Sequence, residues 1–262
     1  MKSLWAAWVA ELLKLHRSKM VWITFLFFIF IPFMMSLMFY IQLHPEIESK
    51  LGIIGTKATA LRLGNADWPT YLGFLIQGMA AIGMIGFGFV TSWVFGREYA
   101  DRTVKDILAL PILRAYIVFS KFIVLVFWCI MLAIVFWFFG LVFVKIVGIS
   151  GWSDNLIYGY TNTYVATALL TILLCTPVAF FASYGRGYLL PMGFVILTLL
   201  LANFTGLVGL GPYFPWAIPG LLSVPAGTEG MQLTGASYII LLFASFLGLA
   251  GTLAWWRYAD QK

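Results

Sequence analysis

Long uncharged runs of apolar residues alternate with short polar segments along the whole chain. Each of the six runs has roughly 20 residues or more, which is the length of an α-helix that crosses a hydrocarbon core of about 30 Å. Lipid offers the backbone no hydrogen-bond partners, so runs of this kind are expected to be helical. We therefore predict an all-α polytopic membrane protein with one transmembrane domain over residues 1–262, whose spans lie at about 20–42, 70–95, 122–144, 161–184, 188–210 and 234–256.

Residues 3–19, which precede the first run, are amphipathic at helical spacing. Trp8 and Leu12 lie on one face of such a helix, whereas Lys14 and Arg17 lie on the other. Tryptophan and leucine opposite lysine and arginine are typical of a helix that lies in the membrane interface. We therefore predict an interfacial helix over residues 3–19.

Residues 210–232, which precede the last run, are mostly apolar but contain four prolines. Proline lacks an N–H group and clashes with the preceding helical turn, so this segment cannot be one continuous spanning helix. A broken backbone at membrane depth is tolerated where protein or a cavity covers it. We predict a pair of short re-entrant helices in this segment.

The composition excludes a water-soluble domain. Hydrophobic residues make up 62% of the chain and charged residues 10%, with a mean hydropathy of +0.97, whereas a soluble domain has about 25% charged residues. The net charge of +6 does not indicate a nucleic-acid partner, because most of the sixteen basic residues lie near the termini, in residues 96–121 and in the turn at 185–187. Basic residues accumulate on the cytoplasmic side of membrane proteins. This pattern predicts a multi-pass protein of the cell membrane, held in the lipid bilayer with both termini in the cytoplasm.

No Asp, Glu, Lys or Arg lies within the predicted spans. Ionisable residues at membrane depth are characteristic of proton-coupled carriers and intramembrane enzymes, so their absence argues against both classes. Gln77 and Asn203 are the main amide side chains at depth, and they contact either a neighbouring helix or a substrate. Cys129 and Cys175 lie inside apolar runs, where buried free thiols are expected rather than a disulfide framework or a zinc site.

Residues 96–121 form a long charged segment between two apolar runs, and they mix acidic with basic residues. The chain contains no GxxxxGK[ST] phosphate-binding loop, so an energy source would have to be another polypeptide. Residues 99–110 are predicted to form a helix with a charged side and an apolar side, which ends at Pro111. Such a helix either docks into a groove on a cytoplasmic partner or is a solvated linker.

Three segments resemble the ABC type-2 permease family, whose members are the membrane subunits of certain ATP-driven exporters. The sequence ELLKLHRSK, with Glu11, Lys14 and Arg17, is similar to the elbow helix of that family. The central segment is similar to the family pattern of a glutamate, a threonine, a leucine-rich stretch, Pro, Arg and Lys, which here are Glu98, Thr103, Leu108, Leu110, Pro111, Arg114 and Lys121. Residues 210–232 resemble the re-entrant pair before the last span. The family often has glycine before the threonine, where this chain has Arg102.

The resemblance implies a membrane subunit that contacts a separate ATP-binding-cassette ATPase through a coupling helix within residues 98–110. The implied contact residues are Glu98, Asp101, Arg102, Thr103, Lys105, Asp106, Leu108 and Leu110. It also implies a second permease copy or a paralogue, ATP and Mg bound by the ATPase alone, and no catalytic, cofactor-binding or metal residues in this chain. The central segment is most similar to permeases linked to bacitracin or lantibiotic resistance. That similarity implies export of an amphipathic or hydrophobic substrate, such as a peptide antibiotic or a lipid-like molecule.

The residues alone are also compatible with two other classes of function. A stand-alone channel or secondary carrier would work without an ATPase. A non-transporting membrane scaffold or sensor would use residues 96–121 only as a docking site. Binding of an ATPase, and stimulation of its turnover, would separate these classes from an exporter subunit.

Overall fold

Six long apolar helices make up most of the part of the chain that the structure describes, and we call them spans 1 to 6. The structure is a computed structural model, which describes residues 8–9, 11–15, 18–44, 46, 64–104, 106, 109, 113–224 and 231–259. The spans are Lys19–Leu43, Trp68–Ala100, Arg114–Val147, Asp154–Tyr184, Leu189–Leu207 and Gly235–Tyr258. Each is long and apolar enough to cross a membrane, and the described residues contain no β-strand. The predicted all-α fold with six spans is confirmed.

Spans 2, 3 and 4 are longer than the apolar runs that predict them, with 33, 34 and 31 residues. Hydropathy marks only the part of a helix that lies in the hydrocarbon core, whereas a helix continues beyond it wherever its backbone hydrogen bonds are kept. Span 2 therefore includes Glu98, and span 3 includes Lys121. The prediction placed both residues just outside the spans.

Span 4 is broken at Leu174. Pro177 explains this break, because it has no N–H group to donate and its ring displaces the carbonyl group of Leu173, four residues earlier. The Thr176 hydroxyl lies 3.0 Å from that carbonyl oxygen and can donate to it. Gly248 of span 6 packs against the break so closely that a Cβ atom there would clash with the Pro177 backbone. The proline in one helix and the glycine in another therefore belong to one close contact.

The glycines of span 2 face different neighbours, which explains why they form no single seam. A Cβ atom on Gly86 would clash with the Phe28 ring of span 1, and one on Gly88 would lie 2.7 Å from Val195 of span 5. Small residues let helices approach closely in a membrane, where packing contributes much of the stability. Span 2 is thus held between spans 1 and 5.

Spans 2 and 4 form the interior of the bundle, with 56% of the most apolar stretch of each buried, against 22% in span 1 and 17% in span 5. Hydrogen bonds join the helices inside this apolar interior. The Tyr71 hydroxyl of span 2 lies 2.8 Å from Ser36 Oγ and donates to the Gly140 carbonyl oxygen at 3.0 Å, which links spans 1, 2 and 3. The Trp256 indole donates to Ser183 Oγ at 3.0 Å and links span 6 to span 4. Such bonds between membrane helices contribute about 0.6 kcal/mol each on average.

Residues 211–224 belong to the segment that is predicted to be re-entrant. They contain a 3-10 turn at Gly211–Tyr213 and a single α-helical turn at Ile218–Leu221. The Thr167 hydroxyl, well inside span 4, lies 3.4 Å from the Pro219 carbonyl oxygen, so this segment packs against the bundle. The next six residues of the predicted segment, up to residue 230, lie outside the described residues, and the re-entrant pair stays a prediction.

Span 2 ends in a left-handed turn at Arg102, whose φ is 58°. The Thr103 amide donates to the Glu98 carbonyl oxygen at 2.9 Å, and the Arg102 amide donates to the Tyr99 carbonyl oxygen at 3.3 Å. These two bonds define a Schellman C-terminus, in which the left-handed position favours glycine. The glycine that the resembled family often has at this position matches the geometry, and Arg102 occupies it here with a Cβ atom.

The single helix predicted over residues 98–110 is wrong in its first part. Residues 98–100 complete span 2, and residues 101–103 form the left-handed turn, because the two Schellman bonds satisfy the last carbonyl groups and end the helix there. Val104 and Asp106 are helical again. The other residues up to position 112, apart from residue 109, lie outside the described residues.

Arg102→Gly is expected to raise the free energy of unfolding by about 1 kcal/mol, since a non-glycine residue in the left-handed region costs roughly 1–2 kcal/mol and glycine loses part of this gain in unfolded-chain entropy. Thermal unfolding of the purified protein in detergent measures the change. Arg102→Ala is the matched control, because it removes the side chain but keeps the Cβ atom. Equal stabilities of the glycine and alanine variants would contradict the assignment of backbone strain.

Candidate functional site

Four charged side chains meet at one end of the bundle, and we call them the charge cluster: Glu11, Lys14, Glu98 and Lys121. Lys121 Nζ lies 2.5 Å from Glu98 Oε1 and 3.5 Å from Glu11 Oε2. Lys14 Nζ lies 2.6 Å from Glu11 Oε1 and 3.3 Å from Glu98 Oε1. The charge cluster therefore joins the helical residues before span 1 to the end of span 2 and the start of span 3.

Helical spacing brings these side chains to one place. Glu11 and Lys14 are three residues apart, and Val94 and Glu98 are four residues apart in span 2, so each pair shares a helix face. Lys121 in span 3 donates both to Glu98 and, at 2.9 Å, to the Val94 carbonyl oxygen. The ammonium group of Lys121 thus bridges two successive turns of span 2.

The central pair of the charge cluster is buried, because the side chain of Lys121 is 0% exposed and that of Glu98 is 3% exposed. Charges that are removed from water need both a partner and hydrogen bonds, and the loss of one partner from a buried pair costs about 3–5 kcal/mol. The two lysines balance the two glutamates, so the charge cluster is neutral as a whole. The four side chains of the charge cluster therefore stabilise one another.

Lys14 is a partly exposed member of the charge cluster, with 31% of its side chain exposed. Burial alone would lower its pKa, but the carboxylates of Glu11 and Glu98 outweigh burial and raise the pKa above its ordinary value. Lys14 is therefore protonated at neutral pH. It holds helical residues 11–15 against the end of span 2.

The residues predicted to contact an ATPase fall into two groups in the structure. Glu98 lies inside the charge cluster, whereas Asp101, Arg102, Thr103 and Asp106 are exposed. We call these four exposed residues the exposed turn. The predicted contact residues Lys105, Leu108 and Leu110, and the predicted elbow residue Arg17, lie outside the described residues.

Other helix ends pack beside the charge cluster. A Cβ atom on Gly96 of span 2 would lie 2.8 Å from the Gly187 carbonyl oxygen, in the turn between spans 4 and 5. Arg114 at the start of span 3 lies 3.3 Å from the carbonyl oxygens of Trp256 and Arg257 at the end of span 6. A displacement at this end of the bundle would therefore reach all the spans that come after span 2.

Gln77 and Asn203, the main amides at membrane depth in the sequence, line the same cavity of about 410 Å³. The cavity lies between span 2, span 5 and residues 211–224, and Trp216 also lines it. The Asn203 amide nitrogen donates to the Leu199 carbonyl oxygen of its own helix at 2.9 Å. Every other described residue of the lining is glycine, alanine or a larger apolar residue. A cavity of this kind suits a molecule that is mostly apolar and carries neutral polar groups.

Span 2 contains a π-helical turn at Met79–Gly83, and Ala80 and Ala81 of this turn line the cavity. π-turns within α-helices are rare and occur often at functional sites. The turn separates the part of span 2 that carries Gln77 from the part that carries Glu98.

Among the described residues, no three His, Cys, Asp or Glu side chains are placed to hold a metal ion. The acids of the charge cluster are paired with lysines instead. The charge cluster fixes the relative position of the three helical segments that contribute its side chains.

The sequence does not predict two features of these sites. Lys121 belongs to the central motif, but its pairing with Glu98 is not predicted. The available signal was an acid at the end of one apolar run and a base at the start of the next, which meet when the two helices are antiparallel neighbours. No pattern in the sequence places Trp216 beside Gln77 and Asn203, since Trp216 lies in the proline-broken segment.

Comparisons with known proteins give two matches. The family model described as "ABC-2 family transporter protein" matches residues 8–203, a range that includes the charge cluster, Gln77 and Asn203. Bacitracin transport permease protein BCRB of Bacillus licheniformis is 29% identical over 181 residues, which cover 68% of this chain and 86% of that protein. No solved structure matches the chain significantly. The resemblance read from the sequence is confirmed, and the chain belongs to the ABC-2 family of transporter proteins.

Proposed function

We propose that this chain is the membrane-spanning permease subunit of an ATP-binding-cassette exporter. The observation that carries the proposal is the family match over residues 8–203, together with six helices long enough to cross a membrane. A separate cytoplasmic ATPase subunit would bind ATP and Mg and supply the energy, since this chain has no phosphate-binding loop. The chain would take part in transport without catalysing hydrolysis.

The exposed turn is the segment that we assign to the ATPase contact. Asp101, Arg102 and Thr103 come directly after the last residues of span 2, and Asp106 lies in the helical residues that follow; all four side chains are accessible. Glu98 would not touch the ATPase, because its side chain is buried against Lys121. It would instead be a positioning residue for the exposed turn. Pressure on the exposed turn would then move the end of span 2, the start of span 3 and helical residues 11–15 together, since the charge cluster ties them to one another.

The distribution of basic residues supports a protein of the plasma membrane. Its exposed turn and both of its termini would lie on the cytoplasmic side. Two permease chains, either identical copies or paralogues, would stand side by side with the transport path between them. The ATPase would change the gap between the two chains by moving their charge clusters.

The cavity near Gln77 and Asn203 supports an amphipathic or hydrophobic substrate. It offers two amide groups and the indole of Trp216 but no charged side chain among its lining residues. Amides pair with the amide or hydroxyl groups of a peptide antibiotic or a lipid-like molecule, while the apolar lining takes its hydrocarbon part. The printed name of the relative BCRB, a bacitracin transport permease, agrees with a peptide antibiotic as substrate.

The charge cluster can be tested through Lys121→Met, which leaves Glu98 buried beside Lys14 alone. We expect the free energy of unfolding to fall by about 3–5 kcal/mol and the permease to lose its stimulation of the ATPase. Glu98→Gln combined with Lys121→Met removes both buried charges, so it should regain most of the stability but not the stimulation. Thermal unfolding in detergent and ATP hydrolysis by the reconstituted complex measure the two effects.

Lys145→Met is the matched control for the charge cluster, because Lys145 is an exposed lysine in the last turn of the same span. It should alter neither stability nor stimulation. Normal ATPase stimulation by the double variant would show that the charge cluster serves folding only.

The exposed turn can be tested by charge reversal at Asp101 and Asp106 together. Both side chains are exposed, and Asp101 forms only a surface ion pair, in which its Oδ2 lies 3.6 Å from Arg97 Nε, so the free energy of unfolding should change by less than about 1 kcal/mol. Co-purification of the ATPase should fall by roughly tenfold, as expected for the loss of about 1–2 kcal/mol of binding. Asp154→Arg, an exposed acid at the start of span 4, is the control. Undiminished binding of the ATPase by the reversed variant would move the contact elsewhere.

The cavity can be tested with Gln77→Leu and Asn203→Leu in one chain. This change removes the two amides that line the cavity, so export of a peptide antibiotic should fall by roughly tenfold, the equivalent of about 1.4 kcal/mol, while ATPase binding is kept. Asn162→Leu replaces an exposed amide of span 4 that does not line the cavity and serves as the control. Export at the normal rate by the double variant would mean that the two amides serve helix packing.

A further inference from the structure

A groove of about 590 Å³ with an apolar lining lies at the same end of the bundle as the charge cluster, and we call it the apolar groove. Val9, Leu12 and Leu13 line it from the helical residues before span 1, Trp22 from the first turn of span 1, and Phe127 from span 3. Leu13, Trp22 and Phe127 are each more than half exposed. The apolar groove is therefore open along the outer surface of spans 1 and 3.

The helical residues before span 1 separate the apolar groove from the charge cluster. Val9 and Leu13, which line the groove, are four residues apart and lie within about 40° of each other around a helix. Glu11 and Lys14 lie about 140–160° away from Val9 around the same helix, where they pair with Glu98 and Lys121. One side of this helical segment thus belongs to the charge cluster, and the opposite side is a wall of the groove.

Lys19, the first residue of span 1, lies at the level of the apolar groove. Spans 1 and 3 run in the same direction, and the Phe28 ring of span 1 lies 6.1 Å from the Phe136 ring of span 3. Lys19 and Phe127 each precede this contact by nine residues, so they lie at about the same depth. Lys19 is also three residues before Trp22, on the same helix face. Its side chain is exposed and forms no ion pair with the described residues.

The depth and the charge of this region indicate what covers the apolar groove. The uncharged run of span 1 begins directly after Lys19, so the groove lies where the lipid headgroups meet the hydrocarbon core. Lysine and tryptophan both favour this level, because each combines an apolar body with a polar tip. The segments at this end of the bundle also carry most of the sixteen basic residues, and such segments attract anionic lipids.

We propose that the apolar groove binds one acyl chain of an anionic phospholipid, whose phosphate group accepts a hydrogen bond from the Lys19 ammonium group. The apolar lining takes the part of the acyl chain nearest the headgroup. Trp22 packs against this part of the chain, with its indole N–H at the level of the headgroup. The lysine and the apolar lining together match the two chemical parts of a phospholipid.

The bound lipid would also support the charge cluster, and this part rests on the proposed function. A lipid in the apolar groove fills the space behind helical residues 11–15, so it would hold Glu11 and Lys14 against the ends of spans 2 and 3. We expect stimulation of the ATPase to be about twofold higher in vesicles that contain phosphatidylglycerol than in vesicles of phosphatidylcholine alone.

The experiment uses the full chain in phosphatidylcholine vesicles that contain a trace of phosphatidylglycerol with a photoreactive group near the carboxyl end of one acyl chain. The same group on phosphatidylcholine is the comparison. After illumination, mass spectrometry of the peptides locates the label. Labelling by phosphatidylglycerol at the peptides of Trp22 and Phe127 should exceed labelling by phosphatidylcholine roughly fivefold, the equivalent of about 1 kcal/mol for one lysine.

Two variants with matched controls test the two parts of the site. Lys19→Met should abolish the excess of phosphatidylglycerol, whereas Lys145→Met, which removes an exposed lysine from the last turn of span 3, should keep it. Leu13→Trp fills the apolar groove and should lower labelling at Phe127 by either lipid severalfold. Ile23→Trp changes a residue of span 1 that is 55% exposed but does not line the groove, so it should leave the labelling unchanged.

The proposal is overturned if both lipids label equally, if the excess survives Lys19→Met, or if the label is spread evenly over the exposed faces of all six spans. Crosslinks between two chains at Trp22 or Phe127 would assign the apolar groove to a second copy and would also overturn it. The labelling needs no ATPase, so it is independent of the proposed function. A lipid that binds without changing ATPase stimulation would refute only its effect on the charge cluster.

Discussion

The contact between Lys121 and Glu98 is the interaction on which this end of the protein depends. An ammonium group with no exposed surface cannot be left without a partner, so span 3 can pack only where span 2 presents a carboxylate and the Val94 carbonyl oxygen to it. Glu11 and Lys14 extend the same constraint to the helical residues before span 1. Charge pairs therefore join three segments that are far apart in sequence, and none of these segments can move alone without separating charges of the cluster.

The exposed turn follows the buried residue Glu98 closely along the chain. Three residues after Glu98 the helix has ended, and the Schellman bonds of Arg102 and Thr103 turn the backbone away from the helix direction. The exposed turn thus begins only three residues after the buried carboxylate of Glu98. In the proposed function, a force on the exposed turn would therefore act on the buried pair and would not be absorbed by a long loop. A mixed-charge helix connected by a loose linker would lack this property.

The sequence was sufficient for the six spans because lipid imposes helices on uncharged runs of this length, and the family pattern was sufficient for the transporter class. It was insufficient where single contacts decide the structure. Hydropathy predicts that span 2 ends before Glu98, because it measures how favourably a residue is transferred to lipid. It does not report whether the helical hydrogen bonds of the backbone continue. The left-handed Arg102 has no signal in periodicity, although the glycine of the resembled family points to it. Gln77 and Asn203 were recognisable as amides at depth, but only the packing of spans 2 and 5 around residues 211–224 places them in one cavity.

Span 2 connects the two sites, and its irregular geometry determines how the connection works. Gln77 and Glu98 are 21 residues apart on it, which corresponds to about 32 Å along a helix at 1.5 Å per residue. A straight α-helix would transmit a rotation of its end rigidly to the cavity. The π-helical turn Met79–Gly83 lies directly beside Gln77, where the i→i+4 hydrogen-bond pattern is interrupted and a change of register is less costly than elsewhere in the helix. In the proposed function, a displacement of the charge cluster would pass along the regular part of span 2 and be taken up at the π-turn. The walls of the cavity would then change shape while Tyr71 keeps the part of span 2 before the π-turn bonded to spans 1 and 3.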